Sequence, residues 1–320
     1  MMRTSIRHMW IAATTILLLS TLPIADAKAA PSTKLVVKGR TVTNELPTIT
    51  IEGRTLVPLR VVSEALEAEV KWDSKTSTAT IQKWGERLSL QPEAKVARWQ
   101  GASSDDQFIT LETPAKLKNE TIYVPLRLIS STFGYNVTWT KGEIQINSPL
   151  SEKSRQVLYR GSLAEAREQI IKLYQPIHYM HKPLNITITD ENYDVIYLFP
   201  KGKALGFYKL YGDTIAWIEL KDDFLVSTWQ ANLDVNSSVD HFQAFKEMKF
   251  ENEKGARPSL KNEEMYVFGS GIFGDSTTSY YGIIDEHRQS SIISYKITIA
   301  GESKGAISYT LPGEIRTDQR

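Results

Sequence analysis

The chain has 320 residues, a formal net charge of +1 and no cysteine. That length accommodates two domains with sizeable cores, and the balanced charge supplies no global field to draw nucleic acid or an anionic membrane. The lack of cysteine excludes a disulfide framework, a thiolate metal site and a lipidated cysteine.

At the N-terminus, Arg3, Arg7 and His8 precede an apolar run from Met9 to Leu19, and Pro23 leads into Ala25-Asp26-Ala27. A basic start, a short apolar core and small residues at the exit are the pattern of a secretory signal peptide, read here as residues 1–27 with cleavage at Ala27 or Ala29. The apolar core is too short to span a bilayer comfortably. No later run is long enough to span one, so the expected product has no transmembrane segment after cleavage. It is secreted or peripherally associated with the cell envelope.

The first domain is read as residues 34–147. Lys34–Lys38 is a strand candidate, and Thr48–Ile51 passes through Glu52-Gly53 into Arg54–Val57 as a hairpin. Pro58 then turns strand into helix, because it has no N–H for a ladder and its fixed φ suits a first helical turn. Leu59, Val62 and Leu66 form one apolar stripe, after which Val70 and Trp72 share a face of a further strand that leads to Thr78–Gln82. A second version of this run follows without a gap. Arg54–Asp73, RTLVPLRVVSEALEAEVKWD, recurs as Thr121–Thr140, TIYVPLRLISSTFGYNVTWT, 67 residues downstream. Leu126, Ile129 and Phe133 repeat the stripe, Val137 and Trp139 repeat the strand face, and Glu143–Asn147 closes the second copy. Gly134 suits the left-handed position that ends a helix, where the first copy has Glu67. If the geometry is shared, Glu67 costs about 1 kcal/mol relative to glycine. Strands are also expected at Arg87–Gln91, Lys95–Gln100 and Phe108–Glu112. The unit is hairpin, helix, hairpin, written twice.

The residues RTLVPLR, then Ser63-Glu64-Ala65-Leu66, then Val70, Trp72 and Asp73, then a Thr-rich strand with Ile81, resemble the copper amine oxidase N-terminal-like domain, or stalk domain. The resemblance covers about a third of the chain. It implies a non-catalytic extracellular module of the kind found in exported proteins of Gram-positive bacteria, and Glu67 departs from its usual glycine. Arg60 and Arg127 sit in first helical turns, where a cation opposes the macrodipole. The reading preferred for each is a structural guanidinium, bonded to carbonyls or to a carboxylate such as Asp73 and lying over Trp72 or Trp139. Ligand contact is the alternative.

The second domain is read as residues 156–312, after a polar connector at Pro149–Lys153. Ser162 and Glu165 form a capping box for a helix with Leu163, Ala166, Ile170 and Leu173 on one face. Leu184–Thr189, Asp194–Phe199, Leu205–Tyr211, Thr214–Leu220 and Phe224–Ala231 read as an antiparallel meander. Ser238 is expected to cap a second helix, Glu251–Glu264 to be a charged loop, and Met265–Phe273, Tyr280–Ile284, Ile292–Ile299 and Ala306–Leu311 to be strands. No family resemblance is evident there. The fold class is therefore α+β: a two-copy stalk-like domain, then a mainly antiparallel β domain with two helices.

Three motifs invite a chemical reading, and each has a simpler one. Thr189-Asp190-Glu191-Asn192-Tyr193-Asp194 fits the surroundings of the tyrosine that becomes a quinone in copper amine oxidases, but the histidine pair that chemistry requires is missing, so a polar turn is preferred. His178 and His181 lie between Pro176 and Pro183 and read as neutral surface histidines on a loop. Phe273-Gly274-Asp275-Ser276 resembles a hydrolase nucleophile block without its partner Asp-x-x-His, since Asp285 and His287 are too close together. No cofactor and no catalytic residue are assigned. Candidate ligand or partner contacts are Arg60, Arg127, Tyr208, Tyr211, Trp217 and Trp229, the last four as an aromatic platform. The leading expectation is an exported, non-catalytic binding or scaffold protein whose partner is a cell-wall polymer or another exported protein. The alternatives are an extracellular hydrolase with converging carboxylates such as Asp222, Asp223 or Asp275, and an inhibitor or sensor of an exported protein.

Overall fold

A computed structural model describes residues 33–102, 106–140, 142–188, 194–234, 241–259, 263–273, 276–299, 309–311 and 313–320. The signal-peptide reading, Thr189–Tyr193, Ser238, Gly274-Asp275 and the first half of the strand expected at Ala306–Leu311 lie outside the described residues.

The N-terminal region runs β1 (Thr33–Val37), β2 (Arg40–Leu46), β3 (Ile49–Ile51), β4 (Arg54–Pro58), α1 (Leu59–Ala65), β5 (Glu69–Asp73), β6 (Thr78–Lys83), β7 (Glu86–Leu90), β8 (Val96–Gln100), β9 (Gln107–Thr110), β10 (Lys116–Lys118), β11 (Thr121–Pro125), α2 (Leu126–Thr132), β12 (Asn136–Thr140) and β13 (Glu143–Asn147). Pro58 and Pro125 each end a strand and stand immediately before a helix, in the position their missing N–H allows. The apolar stripes are buried as their spacing requires: Leu59 and Leu66 are 2 % exposed, and Val62, Ile129 and Phe133 are fully buried.

At the centre, β4 and β11 pair antiparallel, with Val57 opposite Val124, Pro58 opposite Tyr123 and Leu56 opposite Pro125. Each partner stands 67 positions from the other's equivalent, so a local two-fold axis passes through the Val57–Val124 pair. β3 and β10 extend this sheet on either side. The hairpins that follow the helices join different sheets. β5–β6 continues into β7, β8 and β9, whereas β13 takes β1 as a parallel neighbour, with β2 beyond it. The N-terminal region thus holds three sheets, because β13 takes β1 as a parallel neighbour whereas β6 takes β7 as an antiparallel one. Arg40–Leu46, for which no strand was expected, forms β2 at the edge of the β1 sheet.

Glu67 and Gly134 both have positive φ, at 58° and 76°. The two helices therefore end in the same left-handed conformation, which glycine adopts freely and glutamate at a cost.

The C-terminal region runs α3 (Glu152–Arg160), α4 (Leu163–Ile171), β14 (Ile177–Tyr179), β15 (Val195–Pro200), β16 (Gly206–Tyr211), β17 (Thr214–Lys221), β18 (Phe224–Leu233), α5 (His241–Lys246), β19 (Phe250–Gly255), β20 (Met265–Phe273), β21 (Ser276–Ile284) and β22 (Ser290–Ile299). All strands lie in one sheet of order β14-β18-β17-β16-β15-β20-β21-β22, with β19 also on β18. Four expectations change. The expected connector runs into a third helix, α3, capped by Ser151, whose hydroxyl accepts from the Ser154 N–H at 3.1 Å. His178 lies in a strand, β14, parallel to β18. Residues 184–188 form no strand: the Gln230 side chain accepts from Leu184 N–H at 3.0 Å and donates to the Lys182 carbonyl at 2.9 Å, occupying groups a ladder would use. The expected charged loop contains β19, held where Phe250 packs edge-on against Trp229 with centroids 5.4 Å apart.

Candidate functional site

Among the described residues, polar and aromatic side chains gather at the junction of the two regions and along a pair of grooves on the N-terminal region. The junction is built from one tight turn of each. Between β6 and β7, Trp84 adopts φ 53° and Gly85 donates its N–H to the Tyr179 carbonyl at 2.8 Å. A Cβ on Gly85 would meet that oxygen at 2.5 Å, so glycine permits the approach. Between β17 and β18, Asp222 and Asp223 adopt φ 55° and 67° and carry the chain into Phe224. Phe224 is 1 % exposed and packs edge-on to Trp84, Tyr135 and His178, with centroids 4.9–5.3 Å away. Phe224 and Val226 thereby belong to the core of the N-terminal region.

Both carboxylates of this turn are engaged. Asp222 faces the Lys38 and Lys83 ammonium groups, the latter at 3.8 Å, and accepts from the Tyr135 hydroxyl at 2.8 Å. Asp223 accepts from Ser148 and Tyr159 hydroxyls at 2.6 Å each, and from Nε and Nη2 of Arg155 at 3.1 and 3.0 Å. Burial alone would raise the Asp223 pKa, but these donors outweigh it and hold the group below its ordinary value. Lys83 shows the opposite balance: burial lowers its pKa to about 8, although Glu67 pulls it up. Burial likewise pushes the Tyr135 and Tyr159 hydroxyls up, keeping them as donors. Two acids considered for hydrolysis are therefore bound into the junction. His178 is here too, 6 % exposed, with Nδ1 2.8 Å from Glu86 and its ring stacked on Trp84 at 4.2 Å. It is not the surface histidine expected from its neighbouring prolines, and His181 remains exposed away from it. Among the described residues no group of His, Asp and Glu side chains has the arrangement of a metal site. Asp285 accepts from the backbone N–H groups of His287 and Gln289 at 2.9 and 2.8 Å and so closes a turn.

The aromatic platform is not assembled. Tyr208 and Trp229 are fully buried, Trp217 is 9 % exposed, and Tyr211 is half-buried. Tyr208 packs at a tilt against Trp217 and Phe245 in the core between the sheet and α5. Trp217 and Trp229 direct their N–H groups to Glu219 and Glu253 at 2.7 and 3.0 Å.

Arg60 and Arg127 are placed differently from the structural pairing preferred for them. Asp73 accepts from Lys75 N–H and the Thr76 hydroxyl, both at 2.9 Å, and not from Arg60. Among the described residues Arg60 pairs only with Glu64, at 3.9 Å on the exposed helix face. Arg127 has no side-chain partner among the described residues. Instead each arginine lines a groove. The first, of ≈ 470 Å³, holds Arg60, Val70 and Trp72 of one copy against Glu120, Thr121 and Ile122 of the other. The second, of ≈ 340 Å³, holds Arg127, Val137 and Trp139 against Gly53, Arg54 and Thr55. Every one of these positions has its 67-residue counterpart in the other groove, as the two-fold at Val57–Val124 requires. Trp72 and Trp139 are 42 % and 47 % exposed.

Residues 36–147 match the copper amine oxidase N-terminal domain family. No curated protein matches the chain. The copper amine oxidase N-terminal domain thus spans both grooves and one side of the junction, and the region beyond it carries no family assignment. One signal missed in the sequence was that the correspondence starts before Arg54: Thr43, Glu45 and Pro47 answer Thr110, Glu112 and Pro114. Glu112 lines the second groove and pairs with Arg54 at 2.9 Å.

Proposed function

We propose that the chain is an exported, non-catalytic binding or scaffold protein of the cell envelope. In this reading a duplicated hairpin–helix–hairpin domain, about residues 34–147, presents a β-rich second domain, about residues 156–312. The observation that carries it is the Asp222-Asp223 turn. The carboxylates best placed to serve hydrolysis are consumed by seven donor contacts from Lys38, Lys83, Tyr135, Ser148, Arg155 and Tyr159, so the turn holds the two parts together. A carboxylate in that setting has no free oxygen for general acid–base work. The match to the copper amine oxidase N-terminal domain supports the same reading, since only that part of the amine oxidase family is matched. No helix among the described residues is long and apolar enough to cross a membrane.

The test is sedimentation of the purified chain, without residues 1–27, with Gram-positive cell walls. Retention in the pellet, with no release of reducing ends or peptide from the wall, is the expected result. A chain that stays in the supernatant, or that cleaves the wall, removes the proposal. Mass spectrometry of the exported product would show processing at Ala27 or Ala29, and an unprocessed product would remove export by a cleaved signal.

A further inference from the structure

The grooves differ in volume but share one arrangement about the two-fold, an arginine beside an exposed tryptophan: Arg60 with Trp72 and Arg127 with Trp139. In the first, Lys71 is paired with Glu69 at 3.0 Å; in the second, Arg54 is paired with Glu112 at 2.9 Å. In each groove one guanidinium, Arg60 or Arg127, is left outside a close ion pair. Arg127 has no side-chain partner among the described residues, and Arg60 only the 3.9 Å approach of Glu64. A guanidinium offers a planar fork that fits a carboxylate or phosphate, and its neighbour in each groove is an indole with nearly half its surface open. Below the indole the wall is aliphatic, with Leu59 and Leu126 buried at 2 % and 6 % exposure. An apolar ring face beside one exchangeable cation suits a flat, amphipathic unit with an acidic substituent.

We propose that each groove binds one sugar ring bearing a carboxylate or phosphate, stacked on Trp72 or Trp139 with its acid on Arg60 or Arg127, so that the module holds two segments of an acidic glycan. The proposal rests on the wall-binding reading above and names its ligand class and site. Duplication favours a glycan over a peptide: two copies of one groove have two uses only if the ligand repeats its own unit. The two-fold axis also reverses the direction of one groove relative to the other. Recognition is thus of the single unit, and the two glycan segments run in opposite senses, which is an arrangement that cross-links.

Calorimetric titration of the full processed chain with oligogalacturonate, with a phosphorylated oligomannose and with neutral oligogalactose tests this. At least one acidic probe is expected to bind with two sites per chain and at least tenfold tighter than the neutral one, weakening as salt rises. Trp72→Ala or Arg60→Gln leaves one site, Trp139→Ala or Arg127→Gln leaves the other, and either double variant leaves none. The arginine substitutions touch only exposed side chains, so they separate loss of binding from loss of fold. Binding by neither acidic probe, equal binding of the neutral probe, or two sites persisting in both double variants overturns the proposal. Wall retention that is unchanged in the Trp72→Ala/Trp139→Ala chain also overturns it while leaving the wall-binding reading intact. Failure of the unaltered chain to sediment with walls removes that reading instead.

Discussion

Glu67 and Gly134 end their helices at φ of 58° and 76°, yet the surroundings differ. A Cβ on Gly134 would lie 3.2 Å from the Phe224 ring, whereas Glu67 is exposed. Gly134→Ala should therefore cost about 1–2 kcal/mol from backbone strain, with a further penalty from Phe224. Glu67→Gly should add stability of up to about 1 kcal/mol. Urea midpoints that move in the same direction for both variants would contradict this. Lys83 sets a pH dependence. Its folded pKa of about 8 lies below the unfolded 10.5, so between those values the unfolded chain binds more protons and stability rises with pH. Urea midpoints at pH 7.5 and 9.5 should differ in the native sequence and converge in Lys83→Met. Asp223 acts at the other end of the scale. Its lowered pKa contributes stability above the ordinary carboxylate range, lost as pH falls through the folded value.

Among the elements, the C-terminal segment after residue 312 is tied down by side chains although it has no regular structure. Glu314 pairs bidentately with Arg167, at 2.6 and 2.9 Å, and both side chains are fully buried. Asp318 accepts from the Ala204 and Leu205 N–H groups at 2.7 Å each. Glu314→Ala should cost about 3–5 kcal/mol by stranding a buried guanidinium, read as a lower urea midpoint. A change below 1 kcal/mol would mean that water reaches Arg167. This segment was invisible to pattern reading, because neither its burial nor its order arises from periodicity. The elements that were legible are those with a local cause. Pro58 and Pro125 place the strand-to-helix switches, and Ser162 with Glu165 forms the capping box observed on α4. β14 and β19 were misjudged since each depends on β18, which supplies their ladder from far along the chain.

For the molecule as a whole, the interlocked turns should make the two regions one unfolding unit. Phe224 contributes to the N-terminal core from a strand of the C-terminal sheet. Phe224→Ala should lower stability by about 3–5 kcal/mol and turn a single urea transition into two, followed by tryptophan fluorescence and far-ultraviolet dichroism together. Coincident curves in the variant would show that the lock does not depend on this ring.

Read alone, the residues established the repeat, its proline switches, its buried stripes and its likeness to the copper amine oxidase N-terminal domain, as each depends on spacing within one short run. Spacing along a strand could not tell a buried aromatic from an exposed one, so Trp217 and Trp229 were offered as a surface when they are core. The same limit applied to charge. Asp222 and Asp223 were open to a catalytic reading until folding brought Lys38, Lys83 and Arg155 against them, and Arg60 and Arg127 to a structural one until the fold left their guanidinium groups without a tie to Asp73. Burial and partner choice are properties of contacts between distant segments, and those contacts arise from the two-fold at Val57–Val124 and the turn at Asp222-Asp223.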